Sequence, residues 1–154
     1  MKKIKISAIV LNILMFLFLT TSVVFLCYSL LDFSYLSIIN IALDYFGIIS
    51  ITSWIAFIVF SVLTCFYGKK KRIRYLNCFF GGFCSVALFI SGFLGIFESI
   101  YYNNLELSLF SSAIVLESYT CFGFVFLYRI VSMFLTMESP KGEVRKNNYT
   151  NINI

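Results

Sequence analysis

Histidine is absent from this chain, proline occurs once, and charged residues make up only 12% of it. The sequence also has no cluster of carboxylates, no glycine-rich phosphate loop and no cysteine pair in a polar segment. Catalysis needs a base, nucleophile or metal assembled from convergent groups. We therefore expect a protein that is not an enzyme and that has no cofactor and no metal site. A soluble domain carries about 25% charged residues, so the low charge also argues against one.

Long runs of apolar residues make up most of the sequence. Hydrophobic residues make up 60% of the chain, and its mean hydropathy is +0.94. Four runs reach the roughly 20 residues that a helix needs to cross about 30 Å of hydrocarbon. They lie at about residues 6–31, 45–68, 75–97 and 107–137. Because the runs are continuous, they favour helices over the short alternating strands of a barrel. The sequence predicts an all-α membrane protein, a four-transmembrane-helix antiparallel bundle.

The basic residues predict the orientation of this bundle. Eleven of the twelve Lys and Arg precede the first run, join the second to the third, or follow the fourth. The other connections, about residues 32–44 and 98–106, contain no Lys or Arg. Short connections rich in Lys and Arg stay in the cytoplasm. We therefore expect both termini to be cytoplasmic and the protein to be an integral, multi-pass membrane protein. Residues 138–154 are polar and are predicted to form a disordered cytoplasmic tail.

Glu117 is the most pointed candidate for a functional site, because it is the one carboxyl predicted to lie deep in a transmembrane helix. It lies roughly 12 Å into the fourth helix, where an ionisable group is costly. Arg129 is about 18 Å away along the same helix, so any partner must come from another helix. Four hydroxyls lie at a similar predicted depth: Thr20, Thr21, Ser53 and Ser91. Glu117 is interpreted either as a structural hydrogen bonder, as a proton or cation site, or as a contact with a partner subunit.

The third helix carries a face of small residues. Gly81, Ser85, Gly92 and Gly95 recur, with Leu88 between them, at a spacing of three and four residues that keeps them on one side of the helix. Small side chains let helix backbones approach closely in a membrane. This candidate helix-packing face is expected to pack within the chain, with a homo-oligomer or a partner membrane protein as the alternative.

A run of basic residues joins the second and third helices. It consists of Lys69, Lys70, Lys71, Arg72 and Arg74. Its first role is to set topology, and it is also a candidate contact for anionic lipid, at about 1 kcal/mol per basic residue near the surface. We interpret the net charge of +5 as a signal of membrane orientation, and we expect no nucleic acid partner.

These features favour one function and leave a second open. The leading hypothesis is a noncatalytic organiser of lipids or partner membrane proteins, because the loops are short and reactive groups are lacking. The alternative is a small transporter or channel subunit that uses Glu117 for proton or cation coupling.

Overall fold

The structure is a computed structural model that describes residues 2–32, 38–67 and 70–137. These residues form four long α-helices: α1 (Lys2–Asp32), α2 (Ile38–Tyr67), α3 (Lys71–Tyr102) and α4 (Leu105–Met137). Each helix is long and apolar enough to cross a membrane, as judged by length and composition. The prediction of an all-helical bundle with four long apolar helices is confirmed for this part of the chain. The predicted tail, residues 138–154, lies outside it.

The four helices pack around a common centre. The most extensive contacts join α3 to α4, α2 to α3 and α1 to α4, and a smaller contact between α1 and α2 closes the ring. One end of the bundle carries exposed Lys5, Lys70, Lys71 and Arg72, and we call it the basic end. At the other end α3 turns back into α4, and we call this the turn end.

The helices continue past the charged residues that bounded the predicted runs. The connection expected at about residues 98–106 is reduced to Asn103 and Asn104. Asn103 has a left-handed backbone (φ 51°, ψ 42°), a conformation that asparagine tolerates better than most residues. The Asn104 amide donates to the Ser99 carbonyl at 2.9 Å, and the Asn104 side-chain oxygen accepts from the Leu107 amide at 3.2 Å. The turn thus caps the end of α3 and the start of α4.

Large apolar side chains lie both inside the bundle and on its outer surface. Met15, Leu19, Leu26, Phe57 and Leu88 are fully buried at the centre. Many others are half exposed or more, including Ile55, Phe97 and Leu116. Several buried positions are instead polar, among them Asn77, Ser85 and Glu98. This arrangement reverses the usual preference of a soluble protein, in which polar residues cover the surface.

The predicted packing face of α3 lies against neighbouring helices of the same chain. A Cβ added at Gly81 would lie 3.2 Å from the Phe57 ring of α2. A Cβ at Gly92 would lie 2.7 Å from Val115 Cγ2 and 3.1 Å from two backbone atoms of α4, and a Cβ at Gly95 would collide with Ser111. Ser85 is buried and donates to the Gly81 carbonyl of its own helix at 2.9 Å. The glycines let α3 and α4 approach closely.

Substituting Gly92 by alanine should therefore destabilise the bundle. The added methyl group meets α4 backbone, which cannot rotate away, so α3 and α4 must separate; overpacking of this kind typically costs about 1–3 kcal/mol. Gly123→Ala is the matched control, since its Cβ would meet no atom within 4 Å and alanine favours a helix by about 1 kcal/mol. Thermal unfolding in detergent, followed by circular dichroism, should show a lower midpoint for Gly92→Ala only. Equal midpoints would contradict the close contact.

Candidate functional site

Glu117 of α4 accepts a hydrogen bond from α1. The Ser22 hydroxyl donates to Glu117 Oε2 at 2.8 Å. Ser22 is fully buried, and Glu117 is partly buried at the interface between the two helices. The prediction that its partner comes from another helix is confirmed, but that partner is not one of the four hydroxyls named from sequence.

Those four hydroxyls are occupied elsewhere. Thr20 accepts a hydrogen bond from the Trp54 indole of α2 at 3.3 Å. Thr21, Ser53 and Ser91 donate to backbone carbonyls of their own helices, as hydroxyls in apolar helices often do. Glu117 therefore joins α1 to α4, whereas Thr20 joins α1 to α2.

An amide cluster, made of Asn12, Ser61 and Asn77, links three helices nearer the basic end. Asn12 Nδ2 donates to Ser61 Oγ at 2.8 Å, and Asn77 Nδ2 donates to Asn12 Oδ1 at 2.8 Å. Asn77 is completely buried, and the other two are almost so. Because each bond crosses between helices, the cluster fixes the positions of α1, α2 and α3 relative to one another.

Arg74 lies inside the bundle one helical turn closer to the basic end. Its side chain is 6% exposed, and Nε donates to the buried Ser132 hydroxyl of α4 at 3.0 Å. The structure therefore places Arg74 away from the outer surface where lipid headgroups would meet it. Of the other residues in the predicted lipid contact, Lys70, Lys71 and Arg72 are exposed, and Lys69 lies outside the described residues.

Glu98 is a second carboxyl inside the bundle. The sequence placed it in a connection, but it belongs to the last turns of α3 and is 1% exposed. Buried serines accompany it at the turn end: Ser29 of α1, Ser99 of α3 and Ser111 of α4. The interior is thus polar at both ends, with Arg74 buried near the basic end and Glu98 buried near the turn end.

The cysteines contribute to packing. All five are free thiols. The buried Cys84 thiol lies 3.5 Å from the Ser50 carbonyl of α2, and the buried Cys121 thiol lies 3.9 Å from the Met15 carbonyl of α1. Within the described residues, no three Cys, Asp or Glu side chains come together as metal ligands would.

Several interior polar residues were missed in the sequence, among them Asn12, Asn77 and Arg74. A signal for the asparagines was present, because each amide lies in or beside a long apolar stretch where an unpaired polar group is costly. Arg74 gave a misleading signal, since it adjoins a run of basic residues that belongs to a connection.

The fold and these contacts define a four-helix bundle whose interior holds hydrogen-bonded polar side chains among apolar ones and whose outer surface carries many large apolar side chains. Neither the protein-family models nor the curated proteins and solved structures gave a match to this chain.

A double-mutant cycle on Ser22 and Glu117 should show direct coupling. We expect Ser22→Ala and Glu117→Leu to interact by about 0.6 kcal/mol and by no more than about 1.7 kcal/mol, the average and the maximum found by double-mutant cycles between membrane helices. Thr21→Ala is the matched control, because that hydroxyl is exposed and bonds within its own helix. The free energy of unfolding of each variant is measured in mixed dodecyl maltoside and SDS micelles. An interaction energy between Thr21→Ala and Glu117→Leu equal to that between Ser22→Ala and Glu117→Leu would contradict the contact.

Proposed function

We propose that this chain is a noncatalytic multi-pass membrane protein that organises lipids or partner membrane proteins. The observation that carries this proposal is the distribution of polarity: buried hydrogen-bonded amides and hydroxyls inside, large exposed apolar side chains outside. Such an outer surface suits contact with acyl chains or with other membrane helices. Glu117, the candidate reactive group, is hydrogen-bonded to Ser22 in a helix interface, which supports a structural role.

The orientation belongs to the same proposal. The exposed cations Lys5, Lys70, Lys71 and Arg72 share one end of the bundle, and the turn end has only Asn103 and Asn104 between α3 and α4. The positive-inside rule places the basic end in the cytoplasm. Lys70, Lys71 and Arg72 would then face the anionic inner leaflet, where each contributes about 1 kcal/mol to attraction.

A transporter or channel subunit is the second candidate function. The observation in its favour is that polar side chains recur along the whole interior, from Arg74 and Asn77 through Glu117 to Glu98. Ionisable residues inside membrane bundles mark ion pathways in many proteins. Fully buried Leu19, Phe57 and Leu88 fill space between these polar groups, and this packing supports the first candidate.

Labelling of intact cells with a membrane-impermeant maleimide tests the orientation. In a Cys27→Ser/Cys65→Ser background, we expect Asn103→Cys to react from outside and Lys70→Cys to react only after permeabilisation. Cys78, Cys84 and Cys121 are buried and remain in every variant, so any labelling of them is a constant background. Reaction of Lys70→Cys in sealed cells would invert the proposed topology.

Purified protein in liposomes separates the two functions. We expect no proton or cation flux above that of empty vesicles, monitored with an entrapped pH dye under a potassium gradient. Crosslinking in native membranes should capture the same partner proteins with Glu117→Gln as with the unsubstituted chain, because Gln keeps a side-chain oxygen that Ser22 can bond. Flux that depends on pH and disappears in Glu117→Gln would contradict the role as an organiser and support the role as a transporter.

A further inference from the structure

A groove lies between α3 and α4 on the outer surface of the bundle, near the basic end. Its volume is about 210 Å³. Its walls are apolar and are formed by Cys78, Phe79, Phe122, Val125 and Phe126. Phe79, Phe122 and Phe126 are each about half exposed or more. Phe122 and Arg129 are seven positions apart on α4, so this wall is about 10 Å long along the helix.

Arg129 and Tyr75 form the end of the groove that is nearer the basic end. The Arg129 guanidinium carbon lies 4.9 Å from the centre of the Tyr75 ring, within the range of a cation–π contact. This contact holds the guanidinium at the end of the groove. Arg129 is eight residues from the last residue of α4, about 12 Å along the helix, a depth from which its long side chain reaches toward headgroups.

The charges around this end of the groove are positive. Exposed Lys71 and Arg72 lie on the first turn of α3, one turn before Tyr75. The acidic side chains that the structure describes are Asp44, Glu98, Glu106 and Glu117. Glu117 lies about 18 Å from Arg129 along α4, and the other three belong to the helical turns nearest the turn end. The groove lining itself contains no carboxylate.

We infer that this groove binds one anionic phospholipid, with an acyl chain along the apolar wall and the phosphate at Arg129. Arginine matches a phosphate with parallel N–H donors and is weakly hydrated, so it suits a partly buried headgroup contact. A net negative headgroup complements Arg129, Lys71 and Arg72 together. A zwitterionic headgroup would bring an ammonium group toward the same cations. This site differs from the basic run between α2 and α3, because it combines a fixed arginine with an apolar wall.

Brominated lipids can test the site with an indole placed in it. The native indole is removed by Trp54→Phe, and Phe122→Trp puts a reporter on the groove wall. The protein is reconstituted in phosphatidylcholine bilayers containing brominated phosphatidylglycerol or brominated phosphatidylcholine. We expect about fivefold stronger relative association of the anionic lipid, the ratio that about 1 kcal/mol gives. Arg129→Gln should bring the ratio close to one.

Two controls isolate the groove. Ile55→Trp in the same Trp54→Phe background places an indole on α2 with matching exposure, 52% for Ile55 against 51% for Phe122, and should show no headgroup preference. Lys5→Gln removes the same charge from the same end of the bundle but on α1, which contributes no residue to the groove lining, and should leave most of the groove preference. If Arg129→Gln fails to fold, as judged by its helix content, the two reporters in the presence of Arg129 still decide.

The inference rests on the proposed membrane location, and the outcomes separate the two. Equal quenching of the groove reporter by both lipids, or an equal preference at Ile55→Trp, would overturn the lipid site and leave the membrane bundle intact. Absence of quenching at both reporters would show that neither surface meets acyl chains, and both proposals would fall.

Discussion

A polar side chain buried between packed helices can find a hydrogen-bond partner only on its own helix or on another one, and this constraint organises the bundle. Hydroxyls satisfy it locally by bonding a carbonyl one turn earlier. Amides and guanidinium groups carry more donors than that solution satisfies, and a carboxylate has no donor to offer a carbonyl. Asn12, Asn77, Arg74 and Glu117 therefore bond across helix interfaces, and each such bond restricts how its two helices can rotate.

Helix α3 carries both interhelical hydrogen bonds and close backbone contacts with its neighbour. A larger share of it is buried than of any other described helix. It bonds to α1 through Asn77 and to α4 through Arg74, while Gly92 and Gly95 bring its backbone against α4. Small residues allow close approach and polar residues fix the register, which are the two means by which membrane helices associate without a hydrophobic driving force. The outer groove opens near the basic end of this same pair of helices.

Much of the architecture could be read from the sequence, because hydrophobic length is a local property. Four apolar runs predicted four helices, and the spacing of small residues predicted a packing face on α3. The helix ends were less accurate. Charged Arg74 and Glu98 were taken as signs of connections, whereas a helix ends where its backbone is capped, here at Asn103.

The partner of Glu117 shows why contacts are harder to predict than helices. Geometry required a group on another helix, and residues of α1 at the right depth were identified. Successive helical residues point about 100° apart, so the choice between Thr20, Thr21 and Ser22 depends on how α1 is rotated about its axis. That rotation is set by the whole bundle, including Trp54 and the amide cluster, and no short segment of α1 specifies it.

The two-residue turn at Asn103 and Asn104 has a consequence for biosynthesis. In the proposed membrane location, so short a link would make α3 and α4 enter the bilayer together as a hairpin, because neither helix could cross while the other stayed in water. Arg74 would then reach the hydrocarbon boundary with Ser132 already alongside, and the close glycine contacts could form during insertion. The hairpin would be an assembled unit before α1 and α2 close around it.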